Sequence, residues 1–128
     1  MTPHGTFWWN ELMTRDTAAA QAFYGATLGW TFETMDVGAG PYVVCKSGDQ
    51  PVGGMLDIND AKFDGTPAHW GAYVAVDDVD AAVAQVAGAG GAVLQEPFDV
   101  PTVGRIAMIQ DSTGAIIGIA TPAPESEQ

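Results

Sequence analysis

The sequence predicts an α+β fold made of two βαβββ modules, and three observations lead there. The chain nearly repeats itself. Setting residues 70–82 under residues 8–20, a displacement of 62 positions, puts Trp70 on Trp8, Val74 on Leu12, Asp78 on Asp16 and Ala81-Ala82 on Ala19-Ala20. Each copy passes from an aromatic-rich strand pattern through an acidic helix start into an Ala-rich helical stretch. Three short strand-like segments bounded by turn residues then follow in each half. A repeat of about 60 residues is too long for a solenoid unit and too short for comfortable independent folding. Each module would carry its helix on one sheet face and need cover on the other. Two sheets facing each other across a cleft meet that need.

The elements follow in order. Phe7 to Met13 reads as a strand with Trp9, Glu11 and Met13 on one face and Trp8, Asn10 and Leu12 on the other. Asp16 or Thr17 caps a helix over Thr17 to Leu28, where Ala20, Phe23, Tyr24 and Leu28 are spaced to press on the sheet. Gly29 is placed to end it in a left-handed conformation. Strands are expected at Trp30 to Met35, Tyr42 to Lys46 and Pro51 to Ile58, with turns at Gly38-Ala39-Gly40-Pro41 and Ser47-Gly48-Asp49-Gln50. Residues 59–67 read as the linker within one domain of 1–128, between a module at about 6–58 and a module at about 68–122. The second module opens with a strand from His69 to Val76. Asp78 or Asp80 then starts a helix running to about Ala89, ended by Gly90-Gly91. Strands at Ala92 to Glu96, Arg105 to Gln110 and Ala115 to Thr121 complete it, and a polar tail covers 123–128.

Bulk properties restrict the function. A content of 47% hydrophobic and 16% charged residues belongs to a folded chain, not a disordered one. Sixteen acids against four bases give a formal charge of -12, a surface that repels phosphate backbones and anionic lipid. Neither nucleic acid nor membrane is an expected partner. Cys45 is the only cysteine, which rules out an intrachain disulfide and reads as a buried inert thiol. The start Met1-Thr2-Pro3-His4-Gly5 has no signal-peptide pattern, so a cytoplasmic setting is expected. The Gly-rich run at 88–91 lacks the preceding strand that a nucleotide fingerprint requires.

The segment Asp16…Ala22-Phe23-Tyr24…Leu28-Gly29-Trp30 resembles the "D…FY…LGW" stretch of the vicinal oxygen chelate superfamily, which includes glyoxalases, bleomycin-binding proteins and extradiol dioxygenases. Asp111-Ser112-Thr113-Gly114-Ala115 and the strand Ile116 to Ile119 resemble its closing "D-P-x-G" turn and last strand. The resemblance runs over about residues 6–122. It implies paired modules curled into partial barrels around a cleft, assembled as a homodimer. Metal-using members place ligands at four matched positions, one on the opening strand and one on the last strand of each module. Carried onto this chain, those positions hold Trp9, Gly53 or Gly54, Gly71 and Gly118. Indole offers no usable lone pair and glycine no side chain, whereas a divalent site needs at least three oxygen, nitrogen or sulfur ligands. No metal and no other cofactor is therefore expected.

If Trp9 stands in a ligand position, Glu11 and Met13 flank it and His69, Gly71 and Tyr73 form the matching set. Those side chains suit a small, partly aromatic organic ligand held by a few polar groups; they equally suit a filled core. Arg105 could clamp a ligand carboxylate or phosphate, pair with Glu11, or pair with Asp99 at the strand edge. A second reading is a metal-independent enzyme in which Glu11 or His69 moves a proton. A third is a lyase or dioxygenase of the family's metal-dependent kind with relocated ligands drawn from His69 and Glu11.

Overall fold

A computed structural model describes residues 3–36, 41–100 and 103–123. Among them are eight strands and two α-helices: β1 Phe7–Thr14, α1 Thr17–Leu28, β2 Thr31–Asp36, β3 Pro41–Ser47, β4 Gln50–Asp57, β5 His69–Ala75, α2 Val79–Val86, β6 Ala92–Val100, β7 Gly104–Gln110 and β8 Ile116–Pro122. The doubled βαβββ order is the one the repeat implies. The turn expected over 38–40 and the tail from 124 onward lie outside the described residues. No helix among the described residues is long and apolar enough to cross a membrane.

The chain divides into two compact units, Asn10–Gly71 and a second made of Met1–Trp9 with Ala72–Gln128. These boundaries cut through β1 and β5 and not through the linker, because strand pairing outweighs chain order. The residues leading into β1 bond to β5 in the second unit: Gly5 N–H donates to Ala75 O at 2.7 Å, and Ala75 N–H donates to Thr6 O at 2.9 Å. The segment 59–67 is itself tied down in the first unit. The Arg15 guanidinium donates to the carbonyls of Thr66 (2.7 Å) and Phe63 (2.8 Å), and Asn59 Nδ2 donates to Arg15 O at 3.0 Å. A 3₁₀ turn, Ala61–Phe63, forms within it.

In the first unit the strand order is β2-β3-β4-β1, antiparallel except for parallel β4 and β1. Asp16 is the α1 cap: its Oδ1 accepts from Ala19 N–H at 2.9 Å, while Gly29 closes the helix at φ 72°. Leu12, Val43, Cys45 and Met55 form the core, with Ala20 and Tyr24 of α1 packed on it. Phe23 and Leu28, expected to press on the sheet, are instead 60% and 55% exposed. They flank the stripe set by Ala20 and Tyr24, and a 3.6-residue turn carries flanking positions round to solvent.

The second unit has the order β5-β8-β7-β6, with β5 and β8 parallel. Asp78 caps α2, accepting from Ala81 N–H at 3.1 Å. The helix ends at Val86, short of the expected Ala89. Gly90 turns left-handed at φ 94°, and Gly91 N–H donates to Val86 O at 3.0 Å. Gly91 is required there, since a Cβ would run into Gln110 O. β6 extends past the expected Glu96 to Val100 despite Pro97. It is an edge strand with register shifts between Val93 and Gln95 and between Gln95 and Phe98, where a residue without an N–H is tolerated. Val76, Val79, Ala107 and Ile119 form its core.

Candidate functional site

Side-chain alternation assigns the two faces of the first unit's sheet. Leu12, Val43 and Met55 point toward α1, so Glu11, Met13 and Gly54 lie on the face away from it. Glu11 is the register partner of Gly54 on parallel β4, and only 8% of it is exposed. Tyr42, beside Val43 on β3, reaches across β4 on this same far face. Its hydroxyl lies where a Cβ on Gly54 would stand, well inside van der Waals contact. A residue larger than glycine at 54 would therefore displace the Tyr42 phenol.

The beginning of β5 belongs to this unit as well. Trp70 lies on the α1 side, where its indole N–H donates to the Tyr24 hydroxyl at 3.0 Å and its ring meets Trp30 edge-on. His69 and Gly71 therefore face away from α1, as Glu11 does. A Cβ on Gly71 would lie 3.9 Å from Glu11 O, so the two strands run side by side there. His69 Nδ1 is 2.8 Å from Pro67 O. A carbonyl can only accept, so Nδ1 carries the proton and Nε2 keeps its lone pair in the neutral ring. One sheet face of one unit thus holds Glu11, Met13, Tyr42 and His69 around the two glycines at 54 and 71.

Trp9, Tyr73 and Arg105 belong to the second unit. Tyr73 is buried, and its ring occupies the space of any side chain at Gly118, its register partner on β8. Arg105 lies on the side that faces α2. It shares that face with Ala107, two residues on, which packs under Val79 of that helix. Its Nε and Nη2 donate to Asp80 Oδ2 and Oδ1 at 2.8 and 3.1 Å, and its Nη1 is 3.3 Å from Asp99 Oδ1. Every guanidinium nitrogen faces one of those two carboxylates, so of the expected roles the pairing with Asp99 at the strand edge is the one observed. The Arg105 hydrogen bond holds the Asp80 carboxyl below its ordinary range. His4, the other histidine, accepts the Asp77 N–H at 2.9 Å through Nδ1.

The four family ligand positions can now be read as chemistry. Gly54 is the β4 position, since Gly53 faces α1, where a Cβ would meet the Trp70 ring at 3.7 Å. Trp9, Gly54, Gly71 and Gly118 bring no donor atom, and the space at Gly54 and Gly118 is filled by Tyr42 and Tyr73. Among the described residues no three His, Cys, Asp or Glu side chains gather where they could hold a metal. This donor set does not fit the divalent ion of metal-using relatives. Sequence reasoning named Glu11, Met13, His69 and Tyr73 as candidates and did not name Tyr42. The available signal was the Gly53-Gly54 pair inside a strand, which marks close approach by another group.

With this geometry, comparison with known proteins is decisive for the family. The chain belongs to the Glyoxalase/Bleomycin resistance protein/Dioxygenase superfamily, whose model matches residues 7–119. It is 47% identical over 122 residues to CFP32 of Mycobacterium tuberculosis, which carries the name glyoxylase; the match covers 94% of this chain and 46% of that one. It is 35% identical over 125 residues to the anthracycline biosynthesis protein DnrV of Streptomyces peucetius, covering 87% of this chain and 45% of that protein. The chain thus spans about half the length of the curated relatives it matches. Among solved structures it resembles methylmalonyl-CoA epimerase of Streptomyces coelicolor in complex with 2-nitronate-propionyl-CoA, with a TM-score of 0.67, 20% identity, and coverage of 95% and 100% of the two chains. At that identity the likeness is one of fold.

Proposed function

We propose that this protein binds a small, partly aromatic organic molecule without a metal ion, on the sheet face that carries Glu11, Tyr42 and His69. The observation that carries this reading is the filling of last-strand ligand positions by tyrosine: the Tyr42 hydroxyl over Gly54 and the Tyr73 ring over Gly118. Where metal-using relatives need donor side chains, this chain has aromatic surface beside one buried carboxyl group. Similarity to a protein named for anthracycline biosynthesis supports a polycyclic aromatic ligand class. Binding is tested by titrating Trp fluorescence with planar hydrophobic compounds, alongside metal analysis of protein purified without chelator. Saturable quenching and no stoichiometric divalent ion are expected. A zinc, nickel or iron ion at full occupancy would overturn the reading.

Catalysis is a second reading, favoured by a buried Glu11 on the same sheet face as a His69 whose Nε2 can accept a proton. Turnover that disappears in Glu11→Gln while binding persists would make the protein a metal-independent proton-transfer enzyme. Unchanged turnover in that variant would remove Glu11 from the chemistry.

A further inference from the structure

We propose that the ligand is an uncharged hydroxylated aromatic ring, recognised through its own O–H donors by Glu11 and His69 with the Tyr42 hydroxyl beside them. This rests on the ligand-binding reading above and narrows it to a chemical class. The face is rich in acceptors. A carboxyl group keeps acceptor lone pairs in either protonation state, so a partner within the protein leaves Glu11 capacity for another. His69 Nε2 is an acceptor because Nδ1–H is committed to Pro67 O. Tyr42 can donate or accept, and its hydroxyl sits over the register partner of Glu11. Met13 provides apolar surface on the same face.

Among the described side chains, the cations that would recognise an anion are engaged elsewhere. In this unit Arg15 donates to two linker carbonyls, and Lys46 Nζ lies 3.5 Å from Glu33 Oε2. In the second unit Arg105 is bound by Asp80 and Asp99. A formal charge of -12 adds a general repulsion of anionic ligands. A ligand without donors forgoes the additional hydrogen bonds that these acceptors offer, and that loss discriminates against it.

Three naphthalenes of similar shape separate the possibilities by titration calorimetry at pH 7: 2-naphthol, which carries a donor; 2-methoxynaphthalene, which does not; and 2-naphthoate, an anion. We expect 2-naphthol to bind about tenfold more tightly than the methoxy compound, with naphthoate weakest. Glu11→Gln and His69→Phe, each confirmed as folded by circular dichroism, should reduce the preference for 2-naphthol over 2-methoxynaphthalene. Tightest binding of naphthoate, or equal binding of naphthol and its methyl ether, would overturn the donor inference and leave the aromatic-binding reading standing. Heat from none of the three would remove the binding reading itself, and this inference with it.

Discussion

The thiol of Cys45 has no exposed surface, and burial pushes its pKa up to about 11. The unfolded chain therefore releases this proton first as pH rises. Its contribution to stability is complete below the ordinary thiol range and is lost toward pH 11. Urea unfolding between pH 8 and 11 should show a decline that is shallower in Cys45→Ala; identical slopes would show that the thiol is not the cause. Glycines carry a sharper requirement. A methyl at Gly118 would meet the buried Tyr73 ring as far down as Cγ, whereas at Gly54 it meets the free end of Tyr42. Gly118→Ala should cost about 1–3 kcal/mol by denaturant unfolding, and Gly54→Ala less, because a tyrosine tip can swing aside. Equal losses would contradict that difference in stiffness. Glu11 and His69 were legible as candidates from the family's ligand positions together with strand alternation. Tyr42 was not, because its position over Gly54 depends on the pairing of β3 with β4, which no local pattern specifies.

The two helices look alike in sequence but differ in how they are held. α1 has twelve residues and none buried, while the eight residues of α2 bury Val79 and Val86. Helices this short draw their stability from tertiary packing and not from propensity. Amide exchange should therefore be faster in α1 than in α2 despite the greater length of α1; slower exchange in α1 would mean that its outer face is covered in solution. Both caps were readable from sequence, since an Asp ahead of an Ala run has few other roles, and the choice of Asp16 and Asp78 from two options each was settled by hydrogen bonds. Less readable was the reach of β6 through Pro97. A proline normally ends a strand, and only the edge position with its two register shifts makes it acceptable here.

For the whole molecule, the doubled pattern sufficed to anticipate eight strands and two helices in the right order. It did not foresee that compactness divides the chain inside β1 and β5. The exposed apolar side chains Phe23, Leu28, Leu94 and Phe98, together with edge strands β2 and β6, favour assembly. We expect a dimer in sedimentation at micromolar concentration; a 13.3 kDa species alone would contradict it. In the curated relatives the matched region is about half of a longer chain.

By itself the sequence determined the α+β class and the module order, and it narrowed each helix cap to two candidates. Each of these follows from local periodicity or from the chemistry of a single side chain. Only the tertiary structure decided that Arg105 serves Asp80 and Asp99, that His69 holds its proton on Nδ1, and that tyrosines stand over Gly54 and Gly118. Those outcomes depend on register between strands distant in the chain, and hydrogen-bond geometry across a sheet has no signature in the residues of one strand alone.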